Sequence, residues 1–260
     1  MRVALGIAYR GTAYRGWQSQ PGGQTVQDRL EAALAAFADR PIRTVSAGRT
    51  DAGVHALNQV AHFDTGAERA EEAWVRGTNR YLPGDIAVQW CRLTTDAFHS
   101  RGSALGRRYA YVLLESRVRP ALEAGYAGWT FRKLDGDTMR AASESLLGTH
   151  DFSAFRSAEC QAPTPVKTLR SLVIERRGDY WRFDFDADAF LHHMIRNLMG
   201  CLIAVGSGLR DAAWLAAVLE GKDRALAAAT FAPDGLYFVG PYYDAVHALP
   251  QRTPAMSWLP

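Results

Sequence analysis

The chain has little lysine and little cysteine. Lys133, Lys167 and Lys222 are its only lysines, so nearly all of its 30 basic residues are arginine. Three cysteines, Cys91, Cys160 and Cys201, are odd in number and far apart. That spacing excludes both a disulfide framework and a CxxC metal clip, and leaves three thiols expected to be buried in a reducing compartment. No stretch approaches the ~18 apolar residues that a membrane span requires. The opening MRVALGIAYRG is too short and too glycine-broken for a secretory signal, so a cytoplasmic location is expected. H-x-x-x-H spacing and His/Cys clusters are missing too. His192 and His193 are adjacent and cannot both face one ion from a helix, so no metal is expected.

What is present is a globular composition, 48% hydrophobic and 22% charged, over 260 residues, enough for one large domain or two ordinary ones. A net charge of +3 says little about a polyanionic partner. The placement of the arginines says more. SRGSALGRRYAY sets Arg101, Arg107 and Arg108 beside Tyr109 and Tyr111, and YRGTAYRGWQ sets Arg10 and Arg15 among aromatics. Arginine grips phosphate bidentately and stacks on bases, so cations interleaved with aromatics have the composition of a nucleic-acid surface. An ordinary solvated face is the competing explanation.

Periodicity divides the chain into two similar runs. Residues 2–9 alternate as a strand, and Thr25–Ala38 has helical spacing with Thr25 as N-cap. Strands follow near 42–47 and 58–64, then a helix through ERAEEAWVRGTNRYL and a strand over 85–94. The second run has a strand at 107–116, a helix at 137–148 and a hairpin turning near Gly178-Asp179. A buried helix in FLHHMIRNLMGCLIAVGSG, a short helix in DAAWLAAVLEG and a last strand in GLYFVGPYYDAV complete it. The predicted fold class is α+β: two ferredoxin-like βαββαβ halves whose mainly antiparallel sheets join side by side around a central cleft. The expected boundaries are 1–104 for the half carrying the GRTDAGVH loop, 105–247 for the half that completes the cleft, and 248–260 for a tail.

GRTDAGVH raises the sharpest question. An Asx-turn explains most isolated D-x-G tripeptides. Here Arg49 and Asp51 are two apart in an extended segment and can lean to one side, while Gly48 and Gly53 permit close approach to the backbone. An arginine beside a carboxylate keeps it ionised and oriented, as a nucleophile or electrostatic stabiliser requires. RRYAY puts Tyr109 and Tyr111 on one strand face, either as half-buried packing or with a tyrosine free to stack on a base. Arg196 sits in an apolar helix and must be paired, by a structural partner or by an active-site carboxylate.

Two acidic motifs are set aside. DFDADAF lacks the glycine and the terminal glutamate of a calcium loop, with Ala189 and Ile195 in those places. In LDGDTM, an N-cap at Asp135 or Asp137 accounts for the acids better than a phosphatase nucleophile.

AGRTDAGVHA, RRYAY, LLGTHDFSAF, FLHHMIRNLMG and APDGLYFV occur in an order and spacing that resembles the TruA family of tRNA pseudouridine synthases, as does the opening YRGTAYRGWQSQ…TVQDRLE. The resemblance covers nearly the whole chain. It implies uridine-to-pseudouridine isomerisation at positions 38, 39 and 40 of the tRNA anticodon stem-loop, by a cofactor-free homodimer with base flipping. Asp51 matches the catalytic aspartate and Arg49 the arginine that accompanies base flipping. Tyr109 matches the tyrosine against the target base, Arg196 the arginine paired with the aspartate, and Leu236 an apolar residue lining the uracil pocket. Arg101, Arg107 and Arg108 are the expected RNA contacts. Departures fall at Arg10, where the family usually carries an acid, and at Gly102 and Gly106, where it carries longer side chains. A non-catalytic RNA-binding module leaves the glycine-flanked acid unexplained. A hydrolase would need a metal or a second acid.

Overall fold

The computed structural model describes residues 1–250 of the chain; residues 251–260 of the expected tail lie outside the described residues. The chain forms two compact units. Among the described residues, one comprises Met1–Gly106 and 237–250, and the other comprises Arg107–Leu236. Five α-helices and ten strands are present among the described residues, a mixed α and β architecture.

In the first unit the order is β1 (Arg2–Tyr9), α1 (Val26–Ala38), β2 (Val45–Ser46), β3 (His55–Asp64), α2 (Glu71–Asn79) and β4 (Ile86–Thr94). β1 lies between β4 and β3, antiparallel to both: Leu5 faces Cys91 on one side and Ala61 on the other. α1 starts where its sequence places it, because the Thr25 hydroxyl accepts the Asp28 amide. The helices bury their apolar sides: Leu30, Leu34 and Trp74 are fully enclosed, and Trp74 meets Phe37 and Phe63 edge-on at 5.3 and 5.2 Å. The strand expected over 42–47 contracts to two residues. Its Thr44 amide is taken by the buried Glu31 carboxylate (2.8 Å), not by a neighbouring strand.

The second unit contains β5 (Ala104–Glu115, of which Arg107 onward belongs here), β6 (Gly128–Thr130), α3 (Gly136–Ser143), β7 (Gly148–Asp151), β8 (Val166–Arg177), β9 (Tyr180–Ala187), α4 (Met194–Gly206) and α5 (Ala212–Gly221). β5, β9, β8 and β7 pair antiparallel in that order, and β6 runs parallel beside β5. Trp181, Phe183, Phe185 and Ala187 are buried while Asp184 and Asp186 point the other way, so strand alternation accounts for the first two acids of DFDADAF. Asp188 lies past the strand, its Oδ1 accepting the Thr168 and Ala189 amides (2.9 and 2.7 Å). Asp135 caps α3, accepting the Asp137 and Thr138 amides (2.9 and 3.1 Å). That helix stops at Ser143, short of Gly148, which takes φ +99° and opens β7. The helix expected from FLHH onward begins only at Met194, because His193 adopts a left-handed conformation (φ +62°) that a right-handed helix cannot contain. Cys91 and Cys201 are buried as expected, whereas Cys160 is partly exposed.

β10 (Leu236–Tyr243) carries the chain back to the first unit, where Tyr237 and Phe238 pair parallel with His55 and Ala56 of β3.

Candidate active site

Asp51 lies in a tight turn between β2 and β3. The Val54 amide donates to the Asp51 carbonyl (3.2 Å), and Gly53 takes φ +82°, which glycine adopts without a Cβ penalty. The turn rests on the segment between β1 and α1. Gly53 N–H donates to the Tyr14 carbonyl (3.3 Å), and Trp17 N–H donates to the Thr50 carbonyl (3.0 Å). The Tyr9 and Thr50 hydroxyls are 2.7 Å apart, in a buried position. Burial pushes the Tyr9 phenol up, so it stays a neutral hydroxyl.

Two glycines permit this contact. A Cβ on Gly11 would lie 1.9 Å from the Val54 carbonyl oxygen, and one on Gly16 would lie 2.5 Å from that of Thr50. Both neighbours are main chain and cannot swing aside. Around Gly48 there is room: a Cβ there would meet only Phe238, at 3.9 Å. Gly48 instead offers its carbonyl to Gln59 Nε2 (2.7 Å).

Asp51 is half-buried between the buried Thr50 and Val54, and Arg49 is exposed. Arg49 Nε donates to Gln18 Oε1 (3.0 Å), and Arg49 stands two residues before the acid. His55, the other polar ring of the motif, is a buried support. Its Nδ1 accepts the Gly11 amide (3.1 Å), which puts the proton of the neutral ring on Nε2, and the ring stacks on Tyr237 at 4.6 Å.

Arg101 is exposed on a loop pinned by two histidines. His99 Nδ1 accepts the Arg101 and Gly102 amides (3.2 and 3.0 Å), and the buried His62 Nδ1 accepts the Ser100 amide (3.2 Å). Burial above all, then the neighbouring His99 and Arg2, lowers the His62 pKa from 6.5 to about 4. The folded value is below the unfolded one, so the folded state holds fewer protons between them. This contribution to stability is complete above about 6.5 and is lost as pH falls through about 4. Urea midpoints between pH 7 and 4 are expected to fall for the wild type, and to fall less for His62→Gln.

In the second unit Tyr109 of β5 is half-buried, opposite Phe185 of β9, and its ring meets Phe190 edge-on at 5.1 Å. Tyr111 is fully buried and its hydroxyl donates to the Ala232 carbonyl (2.9 Å), so only Tyr109 of the pair offers a partly open ring. Arg107 Nη1 donates to the Asp188 carbonyl (3.0 Å), and Arg107 and Arg108 are both half-buried.

Arg196 stands in the first turn of α4. Its Nε donates to the Phe231 carbonyl (2.8 Å), and the Phe231 amide donates back to the Arg196 carbonyl (3.0 Å). Leu236, five residues beyond Phe231, is buried at the start of β10, and its amide donates to Pro233 O (2.8 Å). The stretch 228–236 thus connects Arg196 to Leu236 through short main-chain contacts.

Sequence reasoning missed the residues that hold these groups. Gly11 and Gly16 lie in a motif read only for its arginines and aromatics, and locally they look like ordinary turn glycines. Asn197, fully buried beside Arg196, carried the same signal as its neighbour, a polar group in an apolar helix.

A family model described as tRNA pseudouridine synthase matches residues 6–100 and 142–244, which include the Asp51 turn and the whole of α4. The chain belongs to that family. Within it, the tRNA pseudouridine synthase A of Methylibium petroleiphilum is 70% identical over 260 residues, covering all of both chains. Those of Paracidovorax citrulli and Polaromonas naphthalenivorans are 60% and 61% identical over 278 and 264 residues, again covering all of each chain. The matches identify the chain as a TruA-family pseudouridine synthase, an isomerase acting on tRNA. Among the described residues no helix is long and apolar enough to cross a membrane.

Proposed function

We propose that the chain converts uridine to pseudouridine at positions 38, 39 and 40 of the tRNA anticodon stem-loop, with Asp51 as nucleophile and without a cofactor. The observation that carries this reading is the placement of Asp51. It is one half-buried acid on a glycine-backed turn, within a chain of this family, with Arg49 two residues before it. The reaction is redox-neutral. The C1′–N1 bond breaks, a C1′–C5 bond forms, the C5 proton leaves and N1 gains one. A carboxylate, a proton acceptor and a site that retains the detached uracil therefore suffice.

Stem uridines are paired, so the target nucleotide must be flipped out, at an unstacking cost of a few kcal/mol. In this reading Tyr109 packs against the extruded base, Leu236 lines the uracil pocket and Arg49 accompanies flipping. Arg196 pairs with the aspartate. The two units are taken as ferredoxin-like halves, and a homodimer binds the tRNA in the cytoplasm.

The test is release of tritium from tRNA labelled at C5 of uridine. Release by the wild type supports the reading, and no release overturns it. Site assignment follows from mapping the product nucleotides. Arg101, Arg107 and Arg108 contact phosphates in this reading, so tRNA affinity is expected to fall steeply with salt. Arg101→Ala is expected to weaken all tRNA substrates alike and to reduce the salt slope by about one. Filter binding over a salt series measures both.

A further inference from the structure

Asn197 is fully buried one residue after Arg196, and its side chain joins three segments. Its Nδ2 donates to the Phe155 carbonyl (2.8 Å). Its Oδ1 accepts the Thr230 hydroxyl (2.6 Å) and Arg224 Nη2 (3.2 Å). Arg224 can only donate and the Phe155 carbonyl can only accept, so the amide has one possible orientation. Arg224 Nη2 also reaches Thr230 Oγ1 (3.1 Å), closing a ring of hydrogen bonds.

The same face of α4 holds the rest of that segment. Cys201 Sγ accepts the Ala228 amide (3.3 Å). Gly200 lies against Ala229, whose carbonyl oxygen would be 2.2 Å from any Cβ there. Phe231, next to Thr230, makes the reciprocal pair with Arg196. Thr230 is therefore the point at which the segment's path is set relative to the helix, one residue before the carbonyl that fixes the Arg196 guanidinium.

We infer that Asn197 and Thr230 are positioning residues that aim the Arg196 side chain by fixing the Phe231 carbonyl. This inference rests on the role proposed above for Arg196. Positioning errors of about 1 Å cost up to ~100-fold in rate, so the hydroxyl of a partly exposed threonine has a disproportionate effect.

Thr230→Val removes that hydroxyl at nearly constant shape, and Thr230→Ser keeps it. Single-turnover label release, tRNA affinity and urea midpoints are measured for both in the full-length protein. The expected result is a fall in the rate constant of about tenfold for Thr230→Val, within that range. tRNA affinity is unchanged and Thr230→Ser restores the rate. In an Arg196→Lys background, which loses the Nε donor, Thr230→Val adds little further loss. A wild-type rate for Thr230→Val, a loss that appears only in affinity or only in step with the urea midpoint, no rescue by serine, or fully multiplicative losses with Arg196→Lys would each overturn the inference. The proposed chemistry would be left standing. An Arg196→Lys enzyme as fast as wild type overturns the role of Arg196, and the inference with it.

Discussion

Asp51→Asn is expected to lower tritium release from C5-labelled tRNA by about 10⁴-fold or more, the scale on which removing a nucleophile acts. tRNA affinity should be nearly unchanged. The amide has the shape of the carboxylate and loses only its charge and nucleophilicity. The hydrogen bonds described for the turn run through main-chain atoms, from Val54 to the Asp51 carbonyl, from Gly53 to Tyr14 and from Trp17 to Thr50. Substitution leaves those atoms in place, so the protein should fold as before. Release at the wild-type rate would remove Asp51 from the reaction. Loss of binding together with release would assign it to docking instead.

Gly11→Ala is expected to damage the same turn from behind. The new methyl carbon would sit 1.9 Å from the Val54 carbonyl oxygen, well inside contact distance, and the obstructing atom is main chain. Over-packing of this kind typically costs 1–3 kcal/mol, about 2–4 °C per kcal/mol in a chain of this size. To relieve the clash the turn must move, and a displacement of about 1 Å at the acid is worth up to ~100-fold in rate. Gly48→Ala is the control for stability. Its Cβ would meet Phe238 at an ordinary 3.9 Å, so its urea midpoint should correspond to a change within about 0.5 kcal/mol. Gly11→Ala with wild-type stability and rate would show that the segment yields more easily than its contacts imply.

These two substitutions mark where the sequence was legible. Asp51, Arg49, Tyr109 and Arg196 stand out locally as candidates, each with a structural alternative that pattern leaves open, and only the family resemblance gives them roles. Most helices could be read from apolar spacing and caps, as with Thr25 and Asp135. Element ends were harder to read because long-range partners decide them. β2 is short because Glu31, thirteen residues before Thr44, takes an amide that alternation assigns to a strand. α4 begins late because His193 turns left-handed, which no propensity scale anticipates for a histidine before an apolar run. The supports of the acid were illegible for a related reason. A glycine whose missing Cβ makes room for a carbonyl more than forty residues away looks, in sequence, like any turn glycine.

In the segment after β1, burial alternates irregularly but consistently. Gly11, Tyr14, Gly16 and Trp17 are enclosed, while Arg10, Thr12, Ala13 and Arg15 face outward. One short stretch therefore has an inner register, written in backbone and small or flat residues, that carries the acid's turn. Its outer register faces solvent. Arg10 belongs to the outer register, so a substitution there is expected to change the surface and leave the acid's turn in place. Saturation mutagenesis of residues 10–17 should accordingly separate into positions that alter which tRNA is chosen and positions that abolish turnover of every tRNA alike.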